Sequence, residues 1–206
     1  MELVIHGVYD AQTLKTLRQL GVDRLGFDLR GRHTNLIPFH VLKSFIPTLK
    51  NEKNYLIFEN DKAETLLSFL NLLGDEKDKF EIQFRDVQPF TYYASIDHPF
   101  SWFYHPDGDW ESILSLPKMK SIVLPVRYKE HYQHLSKLWS LIGARNIQVI
   151  LHVDSFSEVE LYVHEKNLTL SVDLGKEVEL GFRQIDQTRL SNLRIWRMNY
   201  ESASGQ

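Results

Sequence analysis

Leu3-Val4-Ile5-His6-Gly7-Val8, then Asp10 ahead of Ala11, Leu14, Leu17 and Leu20, then Gly21, then Arg24-Leu25-Gly26-Phe27-Asp28-Leu29: this opening decides the fold. The first run is apolar and β-branched, as a strand buried on both faces must be. Asp10 is an N-cap residue placed directly before an apolar series of helical period, and Gly21 is a helix stop. A strand, a helix and a second strand within 27 residues form a β-α-β unit, whose crossover helix makes the two strands parallel.

The unit recurs to the end of the chain. Beyond the strands at 3–8 and 24–29, runs at 54–58, 80–84, 101–105, 121–126, 148–153 and 169–174 read as strands, with helical segments between them. Pro38 opens a helix carrying Val41, Leu42, Phe45 and Ile46. Asp61 with Glu64 has capping-box spacing ahead of Leu66, Leu67, Phe69, Leu70 and Leu73. Asp109 caps a short helix that ends near Pro117, a helix with Leu135, Leu138, Trp139 and Ile142 stops at Gly143, and Ser155 with Glu158 opens another. The last helix is expected over about residues 183–199, with Ile185, Leu193 and Trp196. Two β-rich runs compete in the middle, Thr91–Ile96 and Ser101–His105, and the second is taken as the fifth strand. Eight strands alternating with helices predict an α/β fold, a single closed parallel (β/α)8 TIM barrel over residues 1–201, with 202–206 a disordered tail.

Composition bounds the function. The chain has 206 residues, 24 Lys+Arg against 27 Asp+Glu, and a formal charge of -3. No basic run marks a nucleic-acid or membrane surface, so neither is expected as a partner. The absence of cysteine excludes disulfides, thiolate metal sites and Cys nucleophiles. No signal-like start and no run of the ~18 apolar residues that span a bilayer is found, which gives a cytoplasmic expectation. The leucine-rich segment 66–73 is apolar on more than one face and is the first candidate for a dimer contact, so the chain is expected as a monomer or homodimer.

Alternation along each strand separates the barrel interior from the helix side. Leu25, Phe27 and Leu29 face helices, leaving Gly26, Asp28 and Arg30 inward; Leu170, Val172 and Leu174 leave Thr169, Ser171 and Asp173. The same parity turns His6, Gln83, Arg85, His105, Arg127 and His152 inward, with Asp154 following at the end of the seventh strand. These residues fall at C-terminal strand ends, where barrel active sites lie. Imidazoles and carboxylates are acid-base groups, and guanidiniums grip anions. His6 is the candidate base, His105 or Asp28 the acid, with Asp173 as a relocated acid. Arg30, Arg85, Arg127, Gln83, His152 and Asp154 are candidate ligand contacts. A satisfied polar network inside the barrel is the competing reading of the same residues. A metal site from His6, His152, Asp154 and Asp173 lacks HxH or HExxH spacing, and neither metal nor cofactor is expected. His33, His40, His98, His131, His134 and His164 are expected at the surface.

Three segments, Gly21-Val22-Asp23-Arg24-Leu25-Gly26-Phe27, Ile82-Gln83-Phe84-Arg85-Asp86 and Val172-Asp173 through Val178-Glu179, resemble phosphoribosylanthranilate isomerase in order and spacing. There the stretches read like G-A-D-A-L-G-F, V-Q-L-H-G and V-D-V-S-S-G-V-E. Arg32 sits near that family's serine-proline-arginine loop, which makes it a further ligand contact. The resemblance implies the same barrel, a general base at the cysteine of a K-I-C-G motif and a general acid aspartate on the sixth strand. This chain has Val4-Ile5-His6-Gly7 and Val123-Leu124-Pro125 instead. The glycines that cup the substrate phosphate give way to Val153-Asp154 and Gly175-Lys176-Glu177, whose β-carbons and carboxylates oppose a dianion. The expectation is a barrel that has lost the isomerisation and that acts on or binds a different small anionic molecule.

Overall fold

In the computed structural model, which describes residues 1–196 other than 23, 50–52, 163 and 166, each apolar run becomes one stave of a closed parallel barrel. The strands are β1 (Glu2–His6), β2 (Arg24–Asp28), β3 (Asn54–Phe58), β4 (Phe80–Phe84), β5 (Phe100–Phe103), β6 (Met119–Pro125), β7 (Gln148–Val153) and β8 (Thr169–Asp173). They pair in chain order, and β8 returns to β1 with Asp173 aligned on His6. Around them run α1 (Ala11–Gln19), α2 (Phe39–Phe45), α3 (Ala63–Leu73), α4 (Phe90–Ala94), α5 (Trp110–Ser115), α6 (Lys129–Tyr132), α7 (Ser136–Arg145), α8 (Phe156–Tyr162) and α9 (Gln187–Asn192). Among the described residues no helix is long and apolar enough to cross a membrane. The expected tail at 202–206 and the end of the last expected helix lie outside the described residues.

The first unit forms as its sequence dictates. Asp10 accepts from the Thr13 N–H at 2.8 Å and from its hydroxyl at 2.6 Å, and Gly21 turns the chain out of α1 at φ 76°. Fully buried Leu14 and Leu17 press α1 on the barrel, each worth about 2 kcal/mol of apolar burial. Thr91–Ala94 proves helical, not extended, and Ser95–Ile96 lead out of the helix. Pro89 opens α4, and the Tyr93 hydroxyl, donating to Asp86 O at 2.9 Å and accepting from the Gln88 N–H at 2.9 Å, ties it to the end of β4.

Four local expectations are corrected. Asp61 does not cap α3; Lys62 holds that position without a side-chain bond, and Asp61 Oδ2 is buried and makes no hydrogen bond among the described residues. The stop of α7 is Asn146, at φ 52°, rather than Gly143; asparagine tolerates the left-handed turn, and Arg145 extends the helix by bonding the Leu116 carbonyl. Residues 179–185 form a hairpin, β9 (Glu179–Gly181) with β10 (Gln184–Ile185), so the last helix begins only where Asp186 accepts from the Thr188 and Arg189 N–H groups. His98 is buried, with its Nε2 3.0 Å from the Phe80 carbonyl.

Strand parity holds around the barrel. Ile5, Leu25, Phe27, Leu56, Ile82, Phe84, Ile122, Leu124, Leu170 and Val172 belong to the large core between strands and helices. Inside the barrel a separate belt of Val4, Tyr55, Phe103, Val123 and Ile150 crosses the middle. Below it, at the N-terminal strand ends, Arg24 Nε meets Glu2 at 2.7 Å, its Nη1 donates to the Tyr55 hydroxyl at 2.9 Å, and the Ser121 hydroxyl donates to Glu81 at 2.8 Å. Above it lies the polar mouth. The interior is therefore layered, where alternation alone had implied a continuous polar lining.

Candidate functional site

The register of β1 against β8 sets His6 beside Asp173, and both lie one strand-end layer above the apolar belt. Arg85, one residue beyond β4, reaches across to them. Its Nη1 donates to Asp173 Oδ2 at 2.7 Å and its Nη2 to Oδ1 at 2.6 Å, a two-pronged grip, while Nη2 also stands 2.7 Å from His6 Nδ1. His6 Nδ1 is 3.1 Å from Asp173 Oδ1. Arg85 Nε donates to Gln83 at 3.3 Å, and its guanidinium lies over the Phe103 ring. The opposite nitrogen of His6, Nε2, is buried and makes no hydrogen bond among the described residues.

His6 fits there because β2 carries glycine at the facing position. A β-carbon on Gly26 would stand 2.3 Å from His6 Cδ2, far inside contact distance. The imidazole stacks against His152 at 5.9 Å and meets the edge of Tyr55 at 6.1 Å. His152 in turn has Nδ1 3.0 Å from the Ser171 hydroxyl. Burial pushes His6 below the ordinary imidazole range; the Asp173 hydrogen bond opposes this, and the Arg85 charge adds to it. Burial likewise drives His152 down to about 3. Both rings are neutral near pH 7. Burial works against ionisation of Asp173, but Arg85 and the His6 hydrogen bond overcome it and hold the carboxylate well below its usual range.

A second cluster forms at the end of β2. Asp28 is 1% exposed; Arg30 Nε donates to its Oδ1 at 2.9 Å, Arg30 Nη2 to its Oδ2 at 2.5 Å, and His33 Nδ1 lies 2.7 Å from Oδ2. Burial alone would raise Asp28, yet the His33 and Arg30 bonds bring it to about 2. An ion held so firmly has no proton to give near neutrality, which speaks against Asp28 as a general acid. His33 is thus part of the barrel end rather than a free surface residue.

The cavity above both clusters measures about 280 Å³. Arg30, Arg85, Arg127, Glu59, Asp154 and Asp173 supply its charges, and Phe103, His105, Tyr128 and His152 much of the rest of its wall. His6 lies outside this lining, roofed by the Arg85–Asp173 pair. Arg127 and Asp154 stand on the rim, each about half exposed and 3.5 Å apart. His105 is on the same rim, 42% exposed, with its ring 5.8 Å from that of Tyr128. Arg32 is not on this wall; with Arg30, Gly31, His33, Glu59 and Asn60 it lines an adjoining cavity of about 490 Å³.

Of the residues expected from sequence, the fold gathers His6, Gln83, Arg85, His152 and Asp173 into one network, pairs Asp28 with Arg30, and leaves His105, Arg127 and Asp154 on the rim. Glu59, Phe103 and Tyr128 were missed. Glu59 and Phe103 continue the inward parity of β3 and β5, which would have found them. His33 was reachable by no sequence signal, because a loop brings it back onto Asp28. Ligand atoms of His6, His152 and Asp173 lie within 4.8 Å of one another, but the Arg85 guanidinium stands on Asp173 and against His6. A metal ion there would have to displace that cation, and Asp154 stands apart on the rim, 3.5 Å from Arg127.

No family model matches this sequence, and no curated protein matches it. Among solved structures, the chain resembles phosphoribosylanthranilate isomerase from Thermus thermophilus, with a TM-score of 0.67 at 16% identity over 97% of this chain and 100% of that one. It resembles the Thermotoga maritima enzyme, described as mutually generated monomers of a dimeric protein, equally well, with a TM-score of 0.67 at 15% identity over 98% and 99%. A HpcH/HpaI aldolase/citrate lyase family protein from Burkholderia cenocepacia follows at 0.60 and 9% identity, covering 99% and 94%. At such identities the likeness is one of fold: a single (β/α)8 barrel built like the isomerases throughout its length.

Proposed function

We propose that this barrel binds a small anionic molecule in the mouth at the C-terminal ends of its strands, and that it does not isomerise phosphoribosylanthranilate. The observation that carries the reading is the cavity wall itself. Three guanidiniums face one small space, and Arg127 is half exposed with only a loose partner, so it is available to an incoming anion. Where the resemblance to the isomerases implies a general-acid aspartate on the sixth strand, this chain has Pro125, on the inward parity of β6, which has no proton to give. Val153 and Asp154 follow where a phosphate cup would need glycine.

Binding is favoured over proton transfer because the buried carboxylates are paired with arginine and the buried imidazole of His6 is closed off from the cavity. His6 is roofed over, His152 stays neutral, and Asp28 and Asp173 are fixed as ions by arginine. The competing enzymatic reading keeps one specific support: His105 is an accessible imidazole on the rim of the same cavity. We read the protein as cytoplasmic, a monomer or homodimer, with no cofactor, nucleic acid or membrane as partner.

Thermal shifts against a panel of carboxylated and phosphorylated metabolites test the binding. A true ligand at one hundred times its dissociation constant should stabilise the fold by ~2.7 kcal/mol, and Arg127→Ala should remove the shift. A panel without any shift refutes the proposal. Rescue of a tryptophan auxotroph lacking the isomerase, by ordinary expression of this chain, would refute the loss of the isomerisation.

A further inference from the structure

We infer that the mouth selects a monocarboxylate, taken by Arg85 in place of Asp173, and that binding draws one proton from solvent onto the His6–Asp173 pair. The inference rests on the anion-binding reading and names its ligand class. Arg85 already shows the geometry it would offer: a planar fork closed on a carboxylate at 2.7 and 2.6 Å. A ligand carboxylate can replace Asp173 on that fork without changing the bond lengths or the plane.

The charge count points the same way. Arg30, Arg85 and Arg127 are matched on the cavity wall by Glu59, Asp154 and Asp173, and Asp28 is already bonded to Arg30 behind it, so the mouth holds no spare positive charge. One added carboxylate brings one uncompensated negative charge, and a single proton offsets it. A phosphate dianion would bring two, in a site of low dielectric.

His6 is the group placed to take that proton. Arg85 Nη2 is shared between Asp173 Oδ1 and His6 Nδ1, and it opposes a proton on that nitrogen. Once the guanidinium turns to the ligand, the nearest partner left to Asp173 Oδ1 is His6 Nδ1, 3.1 Å away. An imidazolium there is paired with a carboxylate instead of facing a cation. The groups around the ring on other elements do not compete. Tyr55 on β3 and His152 on β7 present ring edges and faces, Gly26 on β2 has no side chain, and Arg30 stays bound to Asp28. Gln83 on β4 and Ser171 on β8 are uncharged.

The test is calorimetric titration with benzoate, acetate and inorganic phosphate, repeated in buffers of different ionisation heat and across about pH 6.5 to 8.5, above the ordinary imidazole range. The expected result is carboxylate binding with uptake approaching one proton, and a dissociation constant that rises about tenfold per pH unit. A carboxylate bound with pH-independent affinity and no proton uptake overturns this inference and leaves the binding function standing. Phosphate bound in preference to both carboxylates overturns the ligand class alone. If none of the three binds, this inference falls, while the binding function is decided by the metabolite panel. A ligand-free measurement stands beside it: by NMR titration of the His6 ring, Arg85→Met should raise the proton affinity of His6 at least severalfold. An unchanged titration overturns the role given to Arg85.

Discussion

Gly26→Ala is the sharpest test of how the mouth is assembled. The new β-carbon would lie 2.3 Å from His6 Cδ2, 3.1 Å from Cγ and 3.2 Å from the His6 Cα. The ring cannot retreat, since His152, Tyr55 and the Arg85–Asp173 pair enclose it. Overpacking of this kind costs about 1–3 kcal/mol. For a chain of this size roughly 2–4 °C of melting temperature is lost per kcal/mol, so the melt should fall by about 2–12 °C. The His6→Ala background identifies the cause. With the ring gone, Gly26→Ala should cost little more, leaving a coupling of at least 1 kcal/mol between the two substitutions, well beyond the ~0.5 kcal/mol expected of independent sites. Urea unfolding of the wild type, both single variants and the double variant measures this directly. Additive effects, or a Gly26→Ala protein as stable as the wild type, would show that His6 does not occupy the position on which the site description depends.

The other predictions concern pH and charge. His6 and His152 have folded pKa values below the unfolded 6.5, so the unfolded chain binds more protons below that point. Stability should be full above about pH 6.5 and fall by up to ~1.4 kcal/mol per pH unit for each ring as the solution is acidified; His152→Gln should flatten the slope in urea titrations, and a flat profile in the wild type would contradict the buried neutral rings. Asp28, held at about 2 against an ordinary 3.8, contributes stability that is present above about pH 4 and lost as pH falls through 2, on the order of 2 kcal/mol. Asp28→Asn should remove that acid limb; an unaltered limb would mean that Arg30 and His33 do not hold the carboxylate. Pro125→Asp, which puts a carboxyl on the inward face of β6, should still fail to rescue an isomerase-deficient auxotroph, since Val153-Asp154 and Gly175-Lys176-Glu177 are untouched.

The barrel was legible in the sequence because eight apolar runs with period-two alternation are a local record of burial. Each strand lies within two residues of its expected bounds at either end, and the inward parity of Asp28, Gln83, His152 and Asp173 is as read. The choice of Ser101–His105 over Thr91–Ile96 as the fifth strand holds: the β composition of Thr91–Ile96 is overridden where Tyr93 is pulled onto the end of β4 by two hydroxyl bonds. Failures cluster where the local pattern carries no record of burial. Residues 179–185 form a hairpin whose Leu180 and Phe182 are 65% and 75% exposed, so no burial pattern marks it. The site was legible in its members but not in its depth. Parity puts His6 and Arg85 on the same interior, but only the register of β1, β4 and β8 determines that the arginine closes over the histidine.

The belt of Val4, Tyr55, Phe103, Val123 and Ile150 interrupts any chain of hydrogen bonds between the two ends of the interior. Apart from the Tyr55 hydroxyl, which accepts from Arg24 on the lower side, its side chains carry no group that could pass a proton from the layer of Glu2, Arg24 and Glu81 to the mouth. The lower end works as a foundation whose polar bonds fasten the staves together whatever happens above. The upper end is then free to exchange its ionisable residues without loosening the closure of the sheet. His6, Pro125 and Asp173 stand at those upper strand ends, where a changed side chain leaves the Arg24–Glu2 and Ser121–Glu81 bonds untouched.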